Sequence, residues 1–111
     1  VEKLLKEFYF MEIQVTMDTI CMPSEDVVAR EIEGDMIIVP LVAGIGNADD
    51  ELYTLNETGK AIWKKIDGQR SLENILAELI DEFSSPAGEI KADVLGFAAE
   101  MVRRGILTIK H

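Results

Sequence analysis

Residues 27–41 read VVAREIEGDMIIVPL, and this stretch decides the fold. β-Branched residues cluster from Val27 to Glu33 and again from Met36 to Leu41, on either side of Gly34-Asp35, a dipeptide of the kind that closes a two-residue hairpin. A β-hairpin is therefore expected. Pro40 cannot donate to a ladder, so it should end the second strand or mark an edge. Downstream, Val42 to Asp50 is rich in Gly, Asn and Asp and reads as a loop, and Glu51 to Leu55 reads as a third strand.

Helical signals follow. Asn56 is placed to cap a helix, with Glu57 favourable at the positive end of the dipole. Ala61, Ile62, Trp63 and Ile66 form the apolar side of this first helix, which should run to about Asp67 and stop at Gly68. Ser71 caps a second helix whose Leu72, Ile75, Leu76, Leu79, Ile80 and Phe83 recur at intervals of three and four. Ser84, Ser85, Pro86 and Gly88 break it. A third helix should begin near Glu89, continue through Arg104 and stop at Gly105, after which Ile106 to Ile109 is extended. Three strands followed by three helices and a last short strand describe an α+β, winged-helix-like domain, in which a small antiparallel three-stranded sheet precedes a three-helix bundle.

Upstream of the hairpin the signals are mixed. Leu4, Leu5 and Phe8 have helical spacing, whereas Ile13, Val15 and Met17 alternate as in a strand. Residues 1–22 are read as an N-terminal extension of uncertain structure and 23–111 as the domain, with Met11 the expected initiator.

At 111 residues, with 48% hydrophobic and 29% charged, the chain has the length for one core. No apolar run approaches the roughly 20 residues of a membrane helix, and Glu2, Lys3, Lys6 and Glu7 interrupt the start, unlike a secretory signal. A cytoplasmic protein with no membrane partner is expected. The net charge is −10 and uneven: residues 1–55 contribute −9 and residues 56–111 contribute −1. Such a field repels phosphate and disfavours a nucleic-acid partner, although acidity also serves solubility alone.

Chemistry finds little support. Cys21 is the only cysteine and His111 the only histidine, too few soft ligands for structural zinc and no basis for a nucleophile–base pair. Gly44-Ile45-Gly46-Asn47 lacks the lysine and following helix of a phosphate loop and reads as a connector. Glu73, Glu78, Asp81 and Glu82 lack calcium-loop spacing and read as a solvated face. Neither an enzyme nor a cofactor is expected.

Two features suggest binding instead. On a helical wheel of about 100° per residue, Ile90, Val94, Phe97 and Met101 form one stripe of the third helix, sufficient for the core, and Leu95, Ala98 and Val102 form another. The second stripe, with the stem of Lys91, either lines a groove or is covered by the first helix or the N-terminal segment. The strand Glu51-Leu52-Tyr53-Thr54-Leu55 is either an edge able to accept an extended peptide or is paired internally by Ile106 to Ile109.

The residues Leu55 to Trp63, then Asp67-Gly68, Ser71 to Ile75, Ala92-Asp93-Val94 and Arg104 to Leu107 together resemble the PqqD family over roughly Pro23 to Ile109. That family comprises peptide-binding chaperones of pyrroloquinoline quinone biosynthesis and related recognition domains for ribosomally made, modified peptides. The resemblance implies a fold whose third strand and third helix hold the leader of a precursor peptide as an added strand and present it to a radical S-adenosylmethionine enzyme. The implied contacts are Glu51, Leu52, Tyr53, Thr54 and Leu55 with Lys91, Leu95, Ala98 and Val102, in a monomer or homodimer. The competing reading is a winged-helix DNA-binding transcription regulator, against which Glu89 and Asp93 stand in the first turns of the would-be reading helix.

Overall fold

A computed structural model of the chain describes residues 15–42 and 52–110. The expected hairpin is present as β2 (Val27–Ile32) and β3 (Asp35–Pro40). Its turn is Glu33-Gly34, with φ of 52° and 89°. Positive φ at both turn residues matches the right-handed twist of the strands, and Gly34 adopts it without steric cost. The turn thus lies one residue earlier than Gly34-Asp35, so Ile32 faces Asp35 and each cross-strand pair moves by two. Core faces are unchanged: Val27, Met36 and Ile38 are buried.

Strand β4 (Tyr53–Leu55) joins the other side of β3, giving the order β2-β3-β4. Pro40 therefore closes the central strand rather than an edge strand. Its missing N–H lies at the strand's last position, and the next amide, that of Leu41, donates to the carbonyl of Asp26 at 2.8 Å. The chain's last strand, β5 (Leu107–Lys110), does not pair with β4. It pairs antiparallel with β1 (Ile20–Pro23), from Ile20 opposite Lys110 to Pro23 opposite Leu107.

The three helices are α1 (Glu57–Lys65), α2 (Leu72–Glu82) and α3 (Ala87–Arg103). Asn56 caps α1 by accepting the Gly59 N–H at 2.7 Å. The helix ends before Asp67 because Ile66 is extended and Gly68 takes a φ of 77°. Ser71 and Asn74 form a reciprocal capping box at α2, each side chain accepting the other's backbone N–H at 3.2 Å. Two further amides of that first turn, those of Leu72 and Glu73, donate at 2.9 Å to the carbonyls of Thr19 and Met17. The segment before β1 is thereby sewn to α2, and Val15 and Met17 pack against the core. Helix α3 starts two residues before Glu89, entered from Pro86, whose φ of −58° suits helix entry. It ends in a Schellman motif: the Ile106 N–H reaches Met101 O at 2.9 Å, the Gly105 N–H reaches Val102 O at 3.1 Å, and Gly105 has a φ of 78°.

One core joins the sheet, the helices and the β1–β5 pair. Ile38, Ile62, Leu72, Ile75, Leu79, Val94, Met101, Ile106 and Leu107 are its largest buried side chains. Cys21 belongs to it as well, and burial pushes its thiol pKa up to about 11. The stripe of α3 that enters the core is Ile90, Val94, Ala98 and Met101; Ala98 takes the place expected for Phe97, which is only partly buried. Outside the core, Lys60 bonds Glu31 at 2.8 Å and Lys64 bonds it at 3.2 Å, tying α1 to β2 and holding the Glu31 carboxyl below its usual range, chiefly through the Lys60 hydrogen bond.

Candidate functional site

The pairing of β5 with β1 leaves β4 at the end of its sheet, bonded to β3 through Leu55–Met36, Thr54–Ile37 and Tyr53–Ile38. Among the described residues nothing pairs with its other edge. Which backbone groups face that edge follows from the hairpin register. Residues flanking a two-residue turn form a hydrogen-bonded pair, and such pairs alternate along an antiparallel ladder, so Asp35, Ile37 and Val39 direct their groups to β2. Met36 and Ile38 then bond Leu55 and Tyr53. Thr54 is left with its N–H and C=O pointing outward, and Leu52 has the same parity.

Side chains alternate with the pleat. Leu55 is buried and Tyr53 half-buried on the core side, while Thr54 and Leu52 are exposed on the other face. Beyond Tyr53 lies α3, and between them runs a groove of about 340 Å³ whose walls include Asn56, Thr58 and Gly59 of the α1 entry and Asp93, Gly96 and Phe97 of α3. Ile62 and Met101 lie at its base. At one end the Arg104 guanidinium sits 5.2 Å from the centre of the Tyr53 ring, a cation–π contact. Arg104 also bonds Glu100 at 3.0 Å and Arg103 bonds the same carboxylate, holding it below its usual range, with the Arg103 hydrogen bond the largest cause.

Gly59 is what lets α3 come this close. A Cβ at that position would lie 3.1 Å from Phe97 Cε1 and 3.2 Å from the capping Asn56 Oδ1. Gly59→Ala is therefore expected to lose, not gain, stability, by about 1 kcal/mol, even though alanine favours a helix by a similar amount. A urea-unfolding midpoint above that of the parent would refute this packing.

The residues expected to form the site are distributed unevenly. Leu52, Tyr53, Thr54 and Leu55 lie on or beside the open strand, and Glu51 lies outside the described residues, as do Gly44 to Asn47. On α3 the structure brings a different flank to the groove. Lys91 is exposed, Leu95 and Val102 are partly buried against the core, and Ala98 has no exposed surface, so small Ala98 is a core residue and not a point of approach for another backbone. None of the four lines the groove beside Tyr53. Asp93, Gly96, Phe97 and Glu100 do. Their signal in the sequence was Gly59, since glycine inside a helix is costly unless something must approach its surface, and it is Phe97 of α3 that approaches it.

The family model described as "Coenzyme PQQ synthesis protein D (PqqD)" matches residues 41–107, which include β4, all three helices and the whole groove. This chain belongs to the PqqD family. A "PqqA binding protein" of Xanthomonas oryzae pv. oryzae (strain PXO99A) is 32% identical over 62 residues, covering 56% of this chain and 67% of that protein. A protein of the same name from Rhizobium meliloti (strain 1021) has the same identity over 62 residues, 63% of its length. Among solved structures, TbiB1 in complex with the TbiA(beta) leader peptide superposes with a TM-score of 0.64 at 19% identity, over 78% of this chain and 93% of that one. The PqqD fold, a three-stranded antiparallel sheet with three helices in an α+β domain, is thus the fold of this chain.

Proposed function

We propose that this PqqD-family chain is a non-catalytic peptide chaperone that takes the leader of a ribosomally made precursor peptide as a fourth strand on β4 and presents it to a radical S-adenosylmethionine enzyme, as in pyrroloquinoline quinone biosynthesis. One observation carries this reading: among the described residues nothing pairs with the outer edge of β4, which borders a groove, so a guest backbone can bond to Thr54 while alternate guest side chains enter between Tyr53 and Phe97. The names of the relatives, which bind PqqA, and the leader peptide held by TbiB1 support it. The role requires no covalent step. Holding the leader raises the concentration of the attached core peptide beside the modifying enzyme, which is a sufficient contribution to turnover. The proposed setting is the cytoplasm, and the proposed unit is a monomer or homodimer with no nucleic-acid or membrane partner. For the DNA-binding alternative, exposed Glu89 and Asp93 at the start of α3 would face phosphate.

The test is residue-resolved amide hydrogen exchange with a panel of synthetic leader peptides from quinone and other modified-peptide precursors. A bound leader should slow exchange at the Thr54 amide by roughly tenfold or more, as a new ladder bond would, and leave the amides of β5 unchanged. Protection confined to β5 or to α2 would place the guest elsewhere and defeat the reading.

A further inference from the structure

The groove carries two carboxylates that differ in one respect. Glu100 is matched by Arg103 and Arg104. Asp93 has no cationic partner among the described residues, and the α1 side of the groove opposite it offers only the uncharged Asn56, Thr58 and Gly59. The lysines of α1, Lys60, Lys64 and Lys65, lie with Glu57 in a separate cleft toward α2, and Lys91 is not among the residues lining the groove. While the groove is open, water solvates Asp93. A guest strand that covers it removes that water, and a buried carboxylate without a partner is costly, so a cation on the guest is the strongest compensation available.

Spacing says where on the guest that cation falls. From Phe97 to Asp93 the helix advances about 6 Å, four residues at roughly 1.5 Å each. Two residues of extended strand advance about 6.6 Å and bring the side chain back to the same face. A guest side chain resting on Phe97 is therefore followed, two residues along, by one facing Asp93. Gly96 lies to one side of them, at a height between the two along the helix axis, and a Cβ there would meet nothing within 4 Å, which leaves room beside Asp93 for a long guest side chain.

We infer that Asp93 makes the groove selective for a peptide bearing Lys or Arg two residues from a large apolar side chain. This rests on the strand-addition reading above and adds to it the chemistry of the guest. The test selects binders from a displayed library of random peptides with the full chain as bait, then measures affinities of the best binder and its Arg-to-Gln analogue against the parent, Asp93→Asn, Asp93→Lys and Thr54→Pro. The parent should prefer the basic peptide by roughly tenfold or more, Asp93→Asn should reduce that preference to less than about threefold, and Asp93→Lys should favour a Glu analogue. If Thr54→Pro abolishes binding but the preference is the same in the parent and Asp93→Asn, the cation reading alone is overturned. If Thr54→Pro leaves binding intact, strand addition at β4 is overturned and the inference falls with it.

Discussion

Thr54→Pro should remove peptide binding while leaving the domain folded. The register directs the Thr54 N–H away from β3, so proline there deletes no bond of the β3–β4 ladder, and an edge strand is where a sheet tolerates it. The same ring blocks a guest backbone and takes away the donor it would use. Loss of one or two ladder bonds at about 1 kcal/mol each, together with the steric block, corresponds to at least roughly tenfold in affinity. Calorimetric titration of a leader peptide checks the loss, and far-ultraviolet circular dichroism checks the fold. Tyr53→Pro would be a poorer experiment, since the Tyr53 amide faces Ile38 and its removal would damage the sheet itself. Unchanged affinity in a folded Thr54→Pro variant would mean that the guest does not add to this strand.

Ile62→Ala should produce the largest loss of stability. Ile62 is 0% exposed and lies in the core at the base of the groove, so truncation removes its transfer energy and leaves a cavity that the surrounding helices and sheet cannot readily close. Losses at such sites run to about 2–4 kcal/mol. For a chain of this size that lowers the melting temperature by roughly 10–20 °C. Ile80→Ala, on the exposed side of α2 at 38% exposure, is the control and should cost well under half as much. Equal shifts for the two variants in a thermal melt would contradict the described core.

The elements were legible because their causes are local. Asn56, Ser71 and Gly105 mark helix ends through hydrogen bonds to residues within five positions, and the spacing of Leu72, Ile75 and Leu79 is a property of one helix turn after another. The hairpin was legible for the same reason, with an error of one residue at the turn because both Gly34-Asp35 and Glu33-Gly34 offer a glycine to a positive-φ position. Phe97 and Ala98 exchanged roles for a different reason. They lie on opposite sides of the Ile90, Val94 and Met101 stripe, about 100° apart on the helical wheel, and only the rotation of α3 against the rest of the core decides which of them turns inward.

The amino-acid sequence by itself determined an acidic α+β domain of three strands, three helices and a last short strand, in a pattern resembling a peptide-binding family and lacking a nucleophile–base pair. Only the tertiary structure decided that the last strand pairs with β1 and not with β4, and that Asp93, Phe97 and Glu100, not Leu95 and Val102, line the groove beside Tyr53. Both decisions rest on contacts between segments far apart in the chain: a ladder joining Pro23 to Leu107 and the burial of one α3 stripe among residues from every element. Periodicity states which residues share a face, and close packing across the whole core states which neighbour that face meets.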